Sequence, residues 1–399
     1  MANHQNSNKT IAHLSLFEFI FYATTACFNP YLVVFLQSKK FTNTAIGTIL
    51  SINALVGILA QPFWGVVSDR IQSIKKVFLL CISLSSILLL TMPLYQSYIA
   101  YVTILAIITF FDSPLSPLTD AWIIQNIKSI ESGNYASIRL WGSLGYAVTV
   151  YIMGIIVNKL SPYHAFYSHA LLAAITIVII TTKNYDEDIS VSPAQAEKSS
   201  IKKLLTNRHY IIYLLFAASI MAPHKAAFTY LPNLMSKVGG SNKELGAAMS
   251  IMALSEIPMF IIIRRFIYDK KPITLILISS IFFILKQLLY LFARTPTHVI
   301  MLQILQGPSY ALLLNGHVNY IDDLAPDELK STAQTLGTAI AFGIGGILGN
   351  YGGGLIIDRF DLPILYKVGL AMSVAGAGFF LFSLYKTNED KTHNPNSFD

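Results

Sequence analysis

Ionisable side chains stand inside long apolar runs of this 399-residue sequence. Asp120 ends the run Ser113-Pro-Leu-Ser-Pro-Leu-Thr-Asp120, and Arg139 opens Arg139-Leu-Trp-Gly-Ser-Leu-Gly-Tyr146 beyond a short polar turn. Glu18 lies in Phe-Glu-Phe-Ile-Phe, His224 and Lys225 follow Pro223, and Glu256 and Lys286 flank a basic loop at 264–271. In hydrocarbon such groups cost several kcal/mol unless they face a bundle interior or a water-filled cavity and find partners. The chemistry they announce is therefore the handling of polar solutes and protons along a path through a membrane. For any single pair, a structural clamp between helices is the alternative.

Spacing says which of them can meet. Asp120 and Arg139 lie almost symmetrically about the polar turn, so two antiparallel helices joined there hold both at similar depth, roughly 10 Å inside the membrane end, and a facing pair is expected. Glu256 and Lys286 differ in depth by about 6 Å, which two long side chains span, and are read as an ion pair. Glu18 has no cation adjacent in sequence and suits a proton carrier as well as a neutral, hydrogen-bonded structural acid. Asp112, beside Ser113-Pro114, is read as structural, satisfying backbone groups that the proline frees.

The elements that position these residues follow from composition. The sequence is 54% hydrophobic and 12% charged, with a mean hydropathy of +0.55. A soluble protein carries about twice that charge. Twelve apolar segments approach the roughly 20 residues of a spanning helix: about 11–36, 44–66, 77–95, 99–125, 136–158, 164–181, 210–236, 245–263, 273–292, 298–321, 332–356 and 363–385. Placing the amino terminus in the cytoplasm puts most of the 28 Lys and Arg on that side, so both termini are expected to be cytoplasmic. The same asymmetry accounts for the net charge of +7 without a nucleic-acid partner.

Residues 182–209 form the one long polar stretch and divide the helices six and six, giving an amino-terminal bundle over 1–181 and a carboxy-terminal bundle over 210–399. The halves echo each other at a near-constant offset. Tyr31-Leu32 recurs as Tyr230-Leu231, Pro62 with Arg70 and Lys75-Lys76 recurs as Pro258 with Arg265 and Lys270-Lys271, and Arg139-x-x-Gly-Ser recurs as Gln334-x-x-Gly-Thr. Duplicated bundles of this kind place a binding site between them near the membrane midplane.

Gly65-Val-Val-Ser-Asp69-Arg70, followed by Lys75-Lys76, resembles the signature loop of the major facilitator superfamily, with Gln72 where the family usually has a second glycine. The stretch from Ser113 to Asp120 with Arg139-Leu-Trp-Gly-Ser143 is similar to the phenylpropionate permease group and, more distantly, to lactose permease. The resemblance implies an all-α membrane protein of twelve transmembrane helices in two six-helix bundles, with Gly65, Asp69 and Arg70 as a cytoplasmic gate. It implies that Asp120 and Arg139 contact substrate, and a histidine at the place of His224 is also similar to the phenylpropionate group. It departs from lactose permease at Gln303-Ile-Leu-Gln306, which lacks the histidine and glutamate of proton coupling. A coupling group is then expected at Asp120, Glu256 or Glu18.

These readings combine into a secondary active transporter that imports a small polar organic solute, such as a sugar, nucleoside or aromatic carboxylate, together with protons. Asp120, Arg139, His224, Lys225, Glu256 and Lys286 form the substrate site of a monomer in the cell membrane. A proton-linked exporter is the nearest rival, although Trp141-Gly-Ser-Leu-Gly-Tyr146 lacks the proline that exporters of the superfamily usually carry. A non-transporting sensor is a second alternative. No soluble segment is large enough for a catalytic domain, Cys27 and Cys81 fall separately within helices, and no H-E-x-x-H pattern occurs, so no enzyme activity, metal or cofactor is expected. The glycine-rich stretch 343–354 lacks the Lys and Ser/Thr of a phosphate loop and reads as close helix packing.

Overall fold

Hydrocarbon offers a backbone no partner but itself, so each apolar run closes its hydrogen bonds as a helix. The computed structural model of the protein describes residues 2–127, 134–183, 204–267, 270–326 and 329–393. Among these there is no strand. Eleven helices are long and apolar enough to cross a membrane: α1 (Ser7–Ser38), α2 (Asn43–Ile71), α3 (Ile74–Leu94), α4 (Tyr98–Ile127), α5 (Tyr135–Lys159), α6 (His164–Thr181), α7 (Arg208–Thr229), α8 (Asn242–Ile262), α9 (Pro272–Tyr290), α11 (Thr332–Arg359) and α12 (Leu362–Lys386). The remaining segment, α10 (296–324), is helical throughout but changes pitch, with a 3₁₀ turn at Gln303–Leu305 and a π segment at Gly307–Ala311. Pro308 explains the break, because it removes a donor and its ring clashes with the preceding turn. Of the stretch expected to join the halves, residues 184–203 lie outside the described chain.

Side chains written into the connecting turns start the helices. Thr42 accepts from the Ala45 amide before α2, Ser73 from Lys76 before α3, Asn207 from His209 and Tyr210 before α7, and Ser241 with Glu244 forms a capping box at α8. Each satisfies amide groups that a helix start leaves unpaired. The signature-loop turn is made without glycine: Gln72 takes the left-handed conformation at φ 51° and returns its amide to Asp69. That costs a non-glycine residue about 1 kcal/mol.

Helices α1–α6 pack around aromatic cores such as Phe17, Phe78 and Trp122, and α7–α12 around Tyr213, Phe216 and Phe380. A further core joins Tyr31, Val150 and Met153 of the first half to Tyr230, Met249 and Tyr366 of the second. The halves meet through α5 against α8 and α2 against α11, and the meeting repeats the sequence echo. Tyr31 donates to the Val150 carbonyl at 2.6 Å, where Gly154 and Gly246 let α5 and α8 touch. Tyr230 donates to the Asn350 carbonyl at 2.7 Å, where Gly47 and Gly354 let α2 and α11 touch.

The end of the molecule distant from the termini is laced shut. Asp358 accepts from the Asn43 side-chain amide at 2.8 Å and from the Thr44 backbone amide at 2.6 Å. Gln37 donates to Asn233 at 2.7 Å, and Asn233 in turn donates to Asn43 at 2.8 Å.

Candidate functional site

The charged residues singled out from the sequence fall into two clusters, one per bundle. In the first, α1 and α5 run side by side. Gly142 and Gly145 remove side chains where α5 meets Tyr22 and the Phe19 carbonyl, so the helices approach closely. Glu18 and Tyr22 are one turn apart on α1, and Tyr135, Arg139 and Gly142 share a face of α5. The partner of Arg139 is therefore Glu18, at 3.6 Å from Nε to Oε1, and not the expected Asp120. The guanidinium also lies 4.0 Å over the Tyr22 ring. Asp120 instead accepts a hydrogen bond from the Tyr135 hydroxyl at 2.7 Å.

Burial makes the Glu18–Arg139 pair unusual. The Glu18 carboxylate is fully buried and no hydrogen bond reaches either oxygen, while the Arg139 side chain keeps 36% of its surface exposed. A buried carboxylate held by one cation and nothing else has no second source of stabilisation, so whatever moves the cation changes the acid.

In the second cluster the expected ion pair is a three-residue chain. Lys286 donates to Gln306 Oε1 at 2.7 Å, and Gln306 donates onward from Nε2 to Glu256 at 3.4 Å. The amide that breaks the lactose permease pattern thus stands between acid and base. The His224 ring packs 5.1 Å from Phe283 and 5.8 Å from Tyr310, and His224 shares with Lys286 a small cavity of about 10 Å³. Glu256 stands on α8, which packs against α5, the helix of Arg139, so the two clusters flank one interface.

Lys225 points elsewhere, into a cavity of about 940 Å³ between the bundles. That cavity runs from Pro232 and Asn350 near the laced end to Gln61 and Gln334 near the other, and its size is that of a small-molecule site. Of the substrate residues expected from sequence, Lys225 alone lines it. Sequence reading missed Tyr22 and Tyr135, whose signal was their one-turn spacing from Glu18 and Arg139. It also missed Gln306, whose signal was an amide in an apolar run. Gly65, Asp69 and Arg70 stand together in the last turns of α2, the latter two exposed.

The proteins this chain is similar to are transporters. The chain is 28% identical over 371 residues to the maltose permease of Geobacillus stearothermophilus, covering 93% of each chain. It is 27% identical over 386 residues to YwbF, an uncharacterized transporter of Bacillus subtilis (strain 168), covering 96% of each. In fold it superposes on the crystal structure of the nucleoside transporter NupG (D323A mutant) with a TM-score of 0.84 at 18% identity, covering 93% of this chain and 99% of that one. Residues 11–368 match the MFS_1 like family, and the chain belongs to it: a multi-pass membrane transporter of the major facilitator superfamily.

Proposed function

We propose that the protein imports a small polar organic solute together with protons, by alternating access between the closed end seen here and the end that carries the termini. The observation that carries this reading is the pair of loosely partnered acids at the bundle interface, Glu18 under Arg139 and Glu256 behind Gln306. An acid that loses its cation in a water-poor site binds a proton and yields it when the cation returns. A solute that draws Arg139 or Lys286 toward itself thereby couples its own binding to protonation. The maltose permease relative supports a sugar as the solute, and the fold shared with a nucleoside transporter accords with a nucleoside. An aromatic carboxylate fits the intramembrane cations Arg139, Lys225 and Lys286. Orientation follows from the charge asymmetry, with the end that carries the termini cytoplasmic.

The test is uptake of radiolabelled maltose and uridine into proteoliposomes with an imposed proton gradient. Glu18→Gln, Glu256→Gln and Asp120→Asn are compared, and the variant that removes the carrier is expected to lose gradient-driven accumulation while keeping exchange between equal pools. Equal accumulation by the wild type with and without the gradient overturns proton coupling.

Asp69 and Arg70 serve as the latch of the cytoplasmic end. In the present state both side chains are exposed and a Cβ on Gly65 would meet nothing within 4 Å, leaving room for a close approach when the end shuts. Asp69→Ala is therefore expected to leave ligand affinity within about twofold and to slow transport about tenfold, because a latch biases a two-state equilibrium without touching ligand. Equilibrium binding beside initial uptake rates decides; lost binding at normal protein abundance would contradict the latch.

A further inference from the structure

The space between the bundles holds one acid and one base. Among the described residues lining the 940 Å³ cavity, Asp112 of α4 comes from the first bundle and Lys225 of α7 from the second, and the others carry no charge. Among the described residues neither takes part in a hydrogen bond or ion pair. The Lys225 ammonium lies 5.2 Å from the ring centre of Phe228, one turn along its own helix.

The proline break beside Asp112 does not occupy it. The carbonyl that Pro114 leaves without its amide partner is that of Phe110, and Trp64 Nε1 donates to it at 2.9 Å. The Ser113 amide donates to Thr109 at 2.9 Å, the Ser113 carbonyl accepts from Gln61 at 3.3 Å, and the Pro114 carbonyl accepts from Leu118 at 3.0 Å. The backbone around the break is satisfied without the carboxylate.

The helices lean the two side chains toward each other. A Cα–Cβ bond tilts toward the amino terminus of its helix. Helix α4 starts at the laced end, where Tyr98 reaches the Ala45 carbonyl, and α7 finishes there, where Tyr230 reaches the Asn43 carbonyl at 3.1 Å. Lys225 stands nearer that end and leans away from it, while Asp112 stands deeper and leans back toward it. A chain of contacts gives the difference in depth. The Lys225 Cγ lies 3.9 Å from where a Cβ on Gly346 of α11 would stand; one turn along, Gly343 receives the Ile58 side chain of α2, and the neighbouring Gly57 packs on Ser113 beside the acid. About one turn, roughly 5 Å, therefore separates them in depth, which a lysine stem spans, and the cavity separates them sideways.

A charge at this depth is costly unless water or a partner meets it. A cavity of this size leaves room for water around both groups. When that space shrinks the water leaves, the attraction between opposite charges grows as the local dielectric falls, and either charge alone would be buried without compensation.

We infer that Asp112 and Lys225 form an ion pair across the two bundles when the cavity contracts without solute, which lets the empty protein pass between its end states. The inference rests on the alternating-access reading above and adds to it a step that needs neither solute nor proton. A solute in the cavity stands between the two groups and takes the place of the pair. A charge on one wall only would halt the empty protein at contraction.

The test uses the full-length protein in two arms. In the first, Asp112→Cys and Lys225→Cys are combined, so both charges leave together and contraction stays free. Membranes without solute are treated with a short bifunctional methanethiosulfonate. One reagent joining the two cysteines is expected by intact mass, over a background kept low by the buried Cys27 and Cys81; cysteines that are not joined overturn the pair. In the second arm, Asp112→Lys and Lys225→Asp are each expected to lower initial uptake of radiolabelled maltose or uridine into proteoliposomes about 100-fold. The double variant with the charges exchanged is expected to recover at least tenfold over either single variant, and additive losses overturn the pair. Joined cysteines without gradient-driven uptake by the wild type defeat proton coupling alone. Unjoined cysteines beside gradient-driven uptake by the wild type defeat the pair alone.

Discussion

Arg139→Lys is expected to lower initial uptake about 100-fold or more, close to the loss caused by Arg139→Ala. Removing the partner of a buried charge costs about 3–5 kcal/mol, and each 1.4 kcal/mol is about tenfold in an equilibrium or rate. A lysine would spare the protein that loss if Arg139 acted only as a positive charge. The geometry gives the guanidinium three simultaneous contacts. Its Nε faces the fully buried Glu18 carboxylate at 3.6 Å, its plane lies 4.0 Å over Tyr22, and its Nη1 occupies space that a Cβ on Gly142 would need. An ammonium is a compact, strongly hydrated point charge; it neither stacks as a plane nor reaches two acceptors as a fork. The measurement is initial uptake in proteoliposomes at matched protein abundance. A lysine variant near wild-type rate would reduce Arg139 to a counter-ion.

Gly246→Ala and its counterpart Gly47→Ala are expected to slow transport by shifting the protein out of the state seen here. A Cβ on Gly246 would stand 2.8 Å from both the Tyr31 hydroxyl and the Val150 carbonyl, and one on Gly47 would overlap the Asn350 carbonyl. Backbone on a helix seam does not yield as a flexible side chain does, so the overlap carries the usual cost of overpacking, about 1–3 kcal/mol. Opening the laced end separates α5 from α8 and α2 from α11 and removes that cost, so the penalty falls on one conformation only. The population of the other rises by roughly 5- to 150-fold. Turnover is expected to fall about tenfold, since a cycle that must visit the closed state every time is slowed by the cost of reaching it. A cysteine replacing Gln37, on the laced face, is expected to react faster with a membrane-impermeant maleimide in the Gly246→Ala background. Unchanged labelling would mean that the seams have no part in the conformational exchange.

The sequence by itself determined the solvent, the all-helical fold and the family. Hydrocarbon permits few backbone solutions, and a charge buried in it is too costly to be accidental. The near-constant offset between the halves was legible for the same reason: the matched Tyr31 and Tyr230 perform the same bond in each bundle, and paired glycines recur beside them. Partner choice was not legible. Counting residues from a turn fixes the depth of a side chain along its helix but not the direction in which that helix is turned, nor which third helix packs between two others. Asp120 and Arg139 do share a depth, yet α1 packs on the face of α5 that carries Arg139 and supplies Glu18. Glu256 and Lys286 were placed near each other, and only the course of α10 puts Gln306 between them. Asp112 reads in sequence as serving the proline break, but it is Trp64, distant in sequence, that donates to the Phe110 carbonyl that Pro114 leaves free. Axial position is a local property of the chain; rotation and neighbourhood are settled by how twelve helices fill the bundle together, and those decide which intramembrane charges pair and which face the cavity.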